Sequence, residues 1–217
     1  NQALSSVKVE GSERDKTIFY TSLYRFYERM ICISEDGKYY SGFDGKVHDD
    51  EGIPFYNDDW IWDTYRAAHP LRVIIDSEKE SHMINSFVRM SEQMENCWMP
   101  TFPEVVGDTR RMNCNHGVAT IIDCYEKGIR NFDLSKAYKA CKGAITEKTL
   151  SPWSKAKAGK LDEFYKEKGY FPALSSGEKE TASEVDSWEK RQSVAVTLGT
   201  CFDDWCLSQI AKELGKD

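Results

Sequence analysis

Apolar positions recur at helical spacing early in the chain, where Ile18, Leu23, Phe26 and Met30 are widened into a stripe by Phe19, Tyr20, Tyr24 and Tyr27. With Ser12-Glu13 as a start signal after Gly11, the spacing predicts a helix over residues 14–32, buried on a broad face. The segment before it, 5–10, alternates weakly. Residues 35–47 set short aromatic runs between Gly-containing turns and predict a small hairpin or irregular loop. Residues 58–71, reading DDWIWDTYRAAHPL, are expected to be helical and cut or kinked at Pro70. Ser77 is expected to cap a helix carrying Met83, Ile84, Phe87, Met90 and Met94. Two prolines and a glycine make 96–115 too irregular for a periodic element, and an ordered loop of that length in a compact domain tends to carry function. Helices at 116–127 and 134–148 read as a pair across a short turn, and 151–186 as a Lys-, Glu-, Gly- and Ser-rich surface excursion with a short helix at 161–168. A long helix over 188–214 closes the chain and tolerates Gly199. The fold class is therefore mainly all-α: helix pairs, loops of unequal length, little strand.

Composition narrows the function. At 217 residues and 40% hydrophobic the chain suffices for one sizeable core or two small ones. The net charge of −7 is spread over mixed signs with no basic stripe, so nucleic acid is not an expected partner. The longest apolar runs, such as 73–75 and 119–122, fall far short of a membrane span. The chain opens at Asn1 without a methionine or leader, which reads as a processed product or a piece of something longer. Seven cysteines without a C-x-x-C pair read mostly as buried small hydrophobes rather than a disulfide framework.

Candidate chemistry concentrates in 58–71, which packs two tryptophans, a tyrosine, three aspartates and an arginine together. Indole faces cover the C–H face of a pyranose while carboxylates and guanidinium groups bind its hydroxyls, so the mixture suits a sugar. On a helix, Trp62 and Arg66 stand at i,i+4 and Asp63 and Arg66 at i,i+3, placing an aromatic, an acid and a base on one face. An amphipathic helix with core aromatics and solvated charges fits the same letters. In the long loop, Glu104 and Asp108 are the local candidates for a pair of glycosidase carboxyl groups, against a reading in which Glu104 caps or pairs with Arg110 or Arg111. His116 stands at a helix start, as a cap or core residue or as a site residue. Asp49-Asp50-Glu51 and Asp58-Asp59 are oxygen-rich but lack the order of a calcium loop, and read as solvated charge. No nucleophile elbow, phosphate-cradling glycine loop or zinc helix is present, so esterases, kinases and zinc proteases lose support.

Several strings together resemble one family: FYTSLY at 19–24, DDWIWDTYRAAHPL at 58–71, Trp98-Met99-Pro100, MNCNHG at 112–117, DCYEKGI at 123–129 and TLGTCFDDWC at 197–206. In this order and at these separations they resemble the catalytic domain of family 92 glycoside hydrolases, exo-acting α-mannosidases, over almost the whole chain. The resemblance implies an (α/α)6 toroid, a preceding β-sandwich, a bound calcium, and hydrolysis of terminal α-mannosides of glycans, of α-1,2 type and with inversion. Trp62 and Asp63 match positions that line the mannose subsite, with Arg66, Asp108 and His116 as pocket wall or its support. The family's acid, calcium ligands and base lie in motifs that are not found here. The resemblance thus implies that 1–217 is a single region, about half of the toroid, without the β-sandwich or the C-terminal half. On that reading it has no catalytic residues of its own beyond the candidates Glu104 and Asp108, and no metal site. Calcium belongs to the intact enzyme and is not expected on this chain alone, and uncovered helix faces are expected to leave apolar patches or drive self-association. Asn115-His116 stand where many members carry a different pair, which puts linkage preference in doubt. A non-catalytic helical carbohydrate-binding or interaction module, and an (α/α)6 glycosidase of another sugar, are the competing readings. The resemblance also implies export to the periplasm or cell surface.

Overall fold

The computed structural model describes residues 3–216. A 3-10 turn at Ala3–Ser6 leads to helix α1 (Glu13–Phe26), whose N-cap Ser12 accepts the Asp15 N–H at 3.2 Å. α1 stops short of the predicted residue 32. The buried Arg72 guanidinium reaches in from a later helix and donates through Nη2 to the carbonyls of Phe26 (3.4 Å) and Arg29 (2.8 Å), giving the helix end a cation instead of further turns. Nor is α1 buried on a broad face. Leu23 is buried, while Ile18 and Tyr24 are 55% and 61% exposed.

Strands are short and antiparallel. β1 (Ile31–Cys32) pairs with β4 (Tyr56–Asn57), and β2 (Lys38–Ser41) with β3 (Lys46–Asp49) in the predicted hairpin, Lys38 facing Asp49. Inside the long loop β5 (Pro103–Glu104) pairs with β6 (Gly107–Asp108). The tips of these last two hairpins meet backbone to backbone: a Cβ on Gly42 would lie 2.1 Å from the Val105 carbonyl oxygen, and one on Gly107 would lie 2.9 Å from that of Gly42.

The aromatic stretch is not one helix. A single turn, α2 (Ile61–Thr64), is followed by α3 (Ala68–Ile75), and the break falls at Ala67 (φ −145°, ψ −35°). Pro70 is the third residue of α3, in the first turn where no intrahelical N–H is required, so it helps open this helix rather than kink it. In α4 (Ser77–Gln93) the cap position belongs to Asp76, one residue before the predicted Ser77. α5 (Gly117–Glu126) and α6 (Leu134–Thr146) form the expected neighbours, α6 capped by the Asp133 side chain on Lys136 N–H at 2.9 Å. α7 (Lys160–Lys168) ends on Gly169 in the left-handed region (φ 78°). α8 (Ser193–Glu213) starts later than predicted because Asp186 takes the N–H groups of Trp188 and Glu189 and Gln192 is left-handed (φ 47°).

α8 packs on α5 and α6, α3 on α4 and α5, and α4 on α6. Their inward faces, with Phe55 and Tyr56, make one core that includes Ile61, Ile84, Phe87, Met90, Val118 and Ile210. A smaller cluster of Leu150, Tyr165, Phe171 and Val196 seals α7 against α8. On its outer side α8 bears an exposed apolar ridge of Val194, Leu198, Phe202 and Trp205. All seven cysteines are free; Cys114, Cys124, Cys141 and Cys206 are buried as expected, whereas Cys32, Cys97 and Cys201 are exposed. The chain is predominantly helical with short antiparallel hairpins, in keeping with the expected toroid type. No helix among the described residues is long and apolar enough to cross a membrane.

Candidate functional site

The aromatic stretch stands on a buried ionic footing. Asp59, His69, Arg72 and Glu80 are all within 1% of full burial. The Asp59 carboxylate lies 3.0 Å from His69 Nε2, the Glu80 carboxylate 2.7 Å from His69 Nδ1, and Arg72 Nη1 donates to Glu80 at 3.2 Å. Thr64 Oγ1 donates to the same Asp59 oxygen at 3.0 Å, tying α2 to the cluster. Burial by itself would discharge His69, but Glu80 and Asp59 on its two nitrogens overcome this and raise it to about 10. Burial likewise disfavours the Glu80 carboxylate, and His69 and Arg72 hold it below its usual range. Two positive and two negative groups thus share one dry pocket, with Asp59 Oδ1 and Arg72 Nε lacking any partner there.

Above this footing the loop 112–116 crosses α8. Met112 (φ 66°) and Cys114 (φ 68°) are left-handed, and the resulting zigzag is gripped from three sides. Asp203 of α8, fully buried, accepts the Asn115 N–H at 2.6 Å on Oδ2 and sits 2.7 Å from His116 Nδ1 through Oδ1. Lys148 Nζ donates to Asn115 Oδ1 at 2.6 Å and to Thr101 Oγ1, and its burial pulls it down to about 8. Asn113 accepts from Trp62 Nε1 at 3.3 Å and donates to Gln192 at 2.6 Å. The loop lies so close to α8 that a Cβ at Gly199 would fall 2.1 Å from Cys114 Sγ. Gly199 is required by this packing rather than merely tolerated.

Trp62 and Asp63 come to this region from α2, Arg66 from the link between α2 and α3, and His116 from the loop. The Arg66 guanidinium lies over the rings of Trp62 (4.7 Å) and Tyr65 (5.1 Å), and Tyr65 stacks on His116 with centroids 4.2 Å apart. Phe202 and Trp205 continue the aromatic surface along α8. Asp63 and Arg66 are exposed, and neither has an ion-pair partner among the described residues. Glu104 and Asp108 are engaged elsewhere. Glu104 faces Arg111 at 3.5 Å, and Asp108 accepts the N–H groups of Thr101, Phe102 and Arg110 and lies 3.5 Å from Arg110 Nε.

The letters did not single out Tyr65, Asn113, Lys148 or Asp203, and named Asn115 only beside His116. Asp203 had a usable signal, since it falls on the same face of α8 as Val196, Thr200, Cys206 and Ile210, where an acid needs an internal partner. Lys148 had none. No group of three or more His, Cys, Asp or Glu among the described residues is placed to hold a metal ion.

The model of the glycosyl hydrolase family 92 catalytic domain matches residues 1–217. The family GH92 α-mannosidase BT3965 from Bacteroides thetaiotaomicron is 26% identical, with a TM-score of 0.79 over 99% of this chain and 26% of its own. The inverting mannosidase BT2199 from Bacteroides thetaiotaomicron VPI-5482 is 28% identical, with a TM-score of 0.78 over 99% of this chain and 27% of its own. The family glycosyl hydrolase ccman5, at 22% identity and a TM-score of 0.67, shares the fold. No curated protein matches the chain. The chain spans about a quarter of the length of the solved relatives it matches.

Proposed function

Since the chain belongs to glycosyl hydrolase family 92, we propose that residues 1–217 supply about half of the (α/α)6 catalytic domain of an exo-acting α-mannosidase and contribute its sugar-holding wall. The observation that carries the reading is the exposed, unpaired Asp63 and Arg66 beside Trp62 and the His116 loop: charged hydrogen-bonding groups set next to aromatic faces suit a pyranose. Trp62 walls the pocket, Asp63 accepts from sugar hydroxyls, and Arg66 donates to them. The substrate is a glycan with terminal α-mannose, of α-1,2 linkage, and one relative's description as an inverting mannosidase supports inversion. The protein acts in the periplasm or at the cell surface.

Inversion requires one carboxylic acid to protonate the leaving oxygen and a carboxylate on the opposite face to activate water. Neither role is given to Glu104 or Asp108, whose oxygens already serve arginines and the turn of the long loop. Calcium takes roughly six to eight oxygen ligands, and among the described residues no group of three or more His, Cys, Asp or Glu is placed to supply them. The chain on its own is therefore expected to leave an aryl α-mannoside intact and to show no tight calcium uptake by calorimetry. Calcium-dependent turnover sensitive to Glu104→Gln or Asp108→Asn would overturn this placement. In an enzyme that contains this region, Asp63→Ala removes charged hydrogen bonds worth about 1.5–3 kcal/mol each and lowers both affinity and turnover. Kinetics within about twofold of the parent would make Asp63 structural.

A further inference from the structure

His116 is held in a way that a core histidine does not need. Its ring is stacked by Tyr65 at 4.2 Å and flanked by Phe202 at 6.3 Å, so rotation about its own axis is hindered. Nδ1 meets the Asp203 carboxylate, which is fully buried and whose other oxygen is occupied by the Asn115 N–H. A carboxylate only accepts, so in the neutral imidazole the proton must sit on Nδ1 and the lone pair on Nε2. Nε2 has no hydrogen-bond partner among the described residues, and it is not one of the enclosed polar atoms that lack a partner, so it is open to a ligand; its ring lies on Tyr65, over which Arg66 also sits.

We propose that Asp203 is a positioning residue that fixes the tautomer of His116, presenting Nε2 as an acceptor for a donating hydroxyl of the bound sugar. The sugar rests on the function proposed above; the tautomer does not. Asp203 thereby adds a second, uncharged acceptor, the His116 ring nitrogen, to a wall on which Asp63 accepts, Arg66 donates and the tryptophan ring stacks. A residue that merely pinned the loop to α8 would also use the Asn115 N–H contact, but it would have no need to select a ring nitrogen.

Asp203→Asn separates the two roles. The amide keeps its volume and one acceptor, which stays with the Asn115 N–H, leaving its NH2 group against His116. The ring must then accept through Nδ1 and carry its proton on Nε2, so the outward atom changes from acceptor to donor. Long-range proton–nitrogen correlation spectra of the full chain labelled with 15N-histidine read the tautomer directly. The Nδ1–H form is expected in the parent and the Nε2–H form in Asp203→Asn, with weakening of methyl α-mannoside binding by roughly tenfold. An Nε2–H ring in the parent overturns the proposal without any variant, and so does a folded Asp203→Asn chain that keeps the Nδ1–H form. Sugar binding that moves the Trp62 indole signal but leaves Nε2 unshifted overturns the hydroxyl contact. Absence of any binding overturns the function and that contact together, while the tautomer still decides the part played by Asp203.

Discussion

Replacing Glu80 by Gln tests whether the buried ionic footing holds up the aromatic stretch. The substitution keeps shape but removes the charge that His69 meets at 2.7 Å and Arg72 at 3.2 Å, leaving two buried cations facing the single carboxylate of Asp59. Breaking a buried pair by removing one partner costs about 3–5 kcal/mol, against a total stability of about 5–15 kcal/mol for a domain. Urea unfolding followed by tryptophan fluorescence should show a fall in midpoint of that size with the slope unchanged. The pH dependence gives an independent reading. His69 rises from 6.5 to about 10 in the folded state, so between those values the folded protein keeps a proton that the unfolded chain has lost. Its contribution is complete below pH 6.5 and is lost as pH climbs through 10; over about 3.5 pH units at about 1.4 kcal/mol each it amounts to about 5 kcal/mol. In Glu80→Gln only Asp59 remains to hold that proton, so the folded pKa falls toward 6.5, the window narrows from its upper end and the total decline with pH should shrink. A cost below about 1 kcal/mol, or an unchanged total decline between pH 6.5 and 10, would refute the account of the footing.

Other substitutions reach different links. Gly199→Ala drives a Cβ to 2.1 Å from Cys114 Sγ and should cost about 1–3 kcal/mol, read as a lower melting temperature, whereas Gly128→Ala, with open space around its Cβ position, carries backbone strain alone. The ridge of Val194, Leu198, Phe202 and Trp205 should cause concentration-dependent association in sedimentation experiments, relieved by Leu198→Lys; a monomer at every concentration contradicts this. Lys148→Met should leave Thr101 Oγ1 and Asn115 Oδ1 without their donor and loosen the 112–116 loop, seen as faster amide exchange at Asn115 than at Ile121.

What was legible in the letters was local. Met83, Ile84, Phe87 and Met90 lie at helical period and do form one buried face of α4, and the turn signals around Gly42 and Gly45 do close a hairpin. The course of 58–71 was not legible, because its break depends on Asp59 meeting His69, whose other nitrogen is held by Glu80, side chains on two later helices with no local signature at Trp60 or Ala67. The same holds for the loop. His116 stands out by its type and by the MNCNHG string, but the residue that orients it lies 87 positions further on, and the lysine that holds Asn115 lies 33 further on. The reach of α1 was overestimated for a related reason: its stripe of Phe19, Tyr20, Tyr24 and Tyr27 continues the period, while the carbonyls that end it are claimed by Arg72 from across the fold.

The contact between Gly42 and Gly107 makes two segments far apart in sequence behave as the halves of one clasp. Neither half can grow: a side chain on Gly42 would run into the Val105 carbonyl, and Gly107 is both left-handed (φ 114°) and pressed on the Gly42 carbonyl. Beyond Gly107 the chain runs through Asp108 and Arg110 to Asn113, the partner of Trp62, so the clasp sets where that loop starts. In exchanges of loops with a relative, residues 38–49 and 98–115 should therefore move together. A chimera carrying only one of the two would misplace Asn113 without touching any residue that faces the ligand.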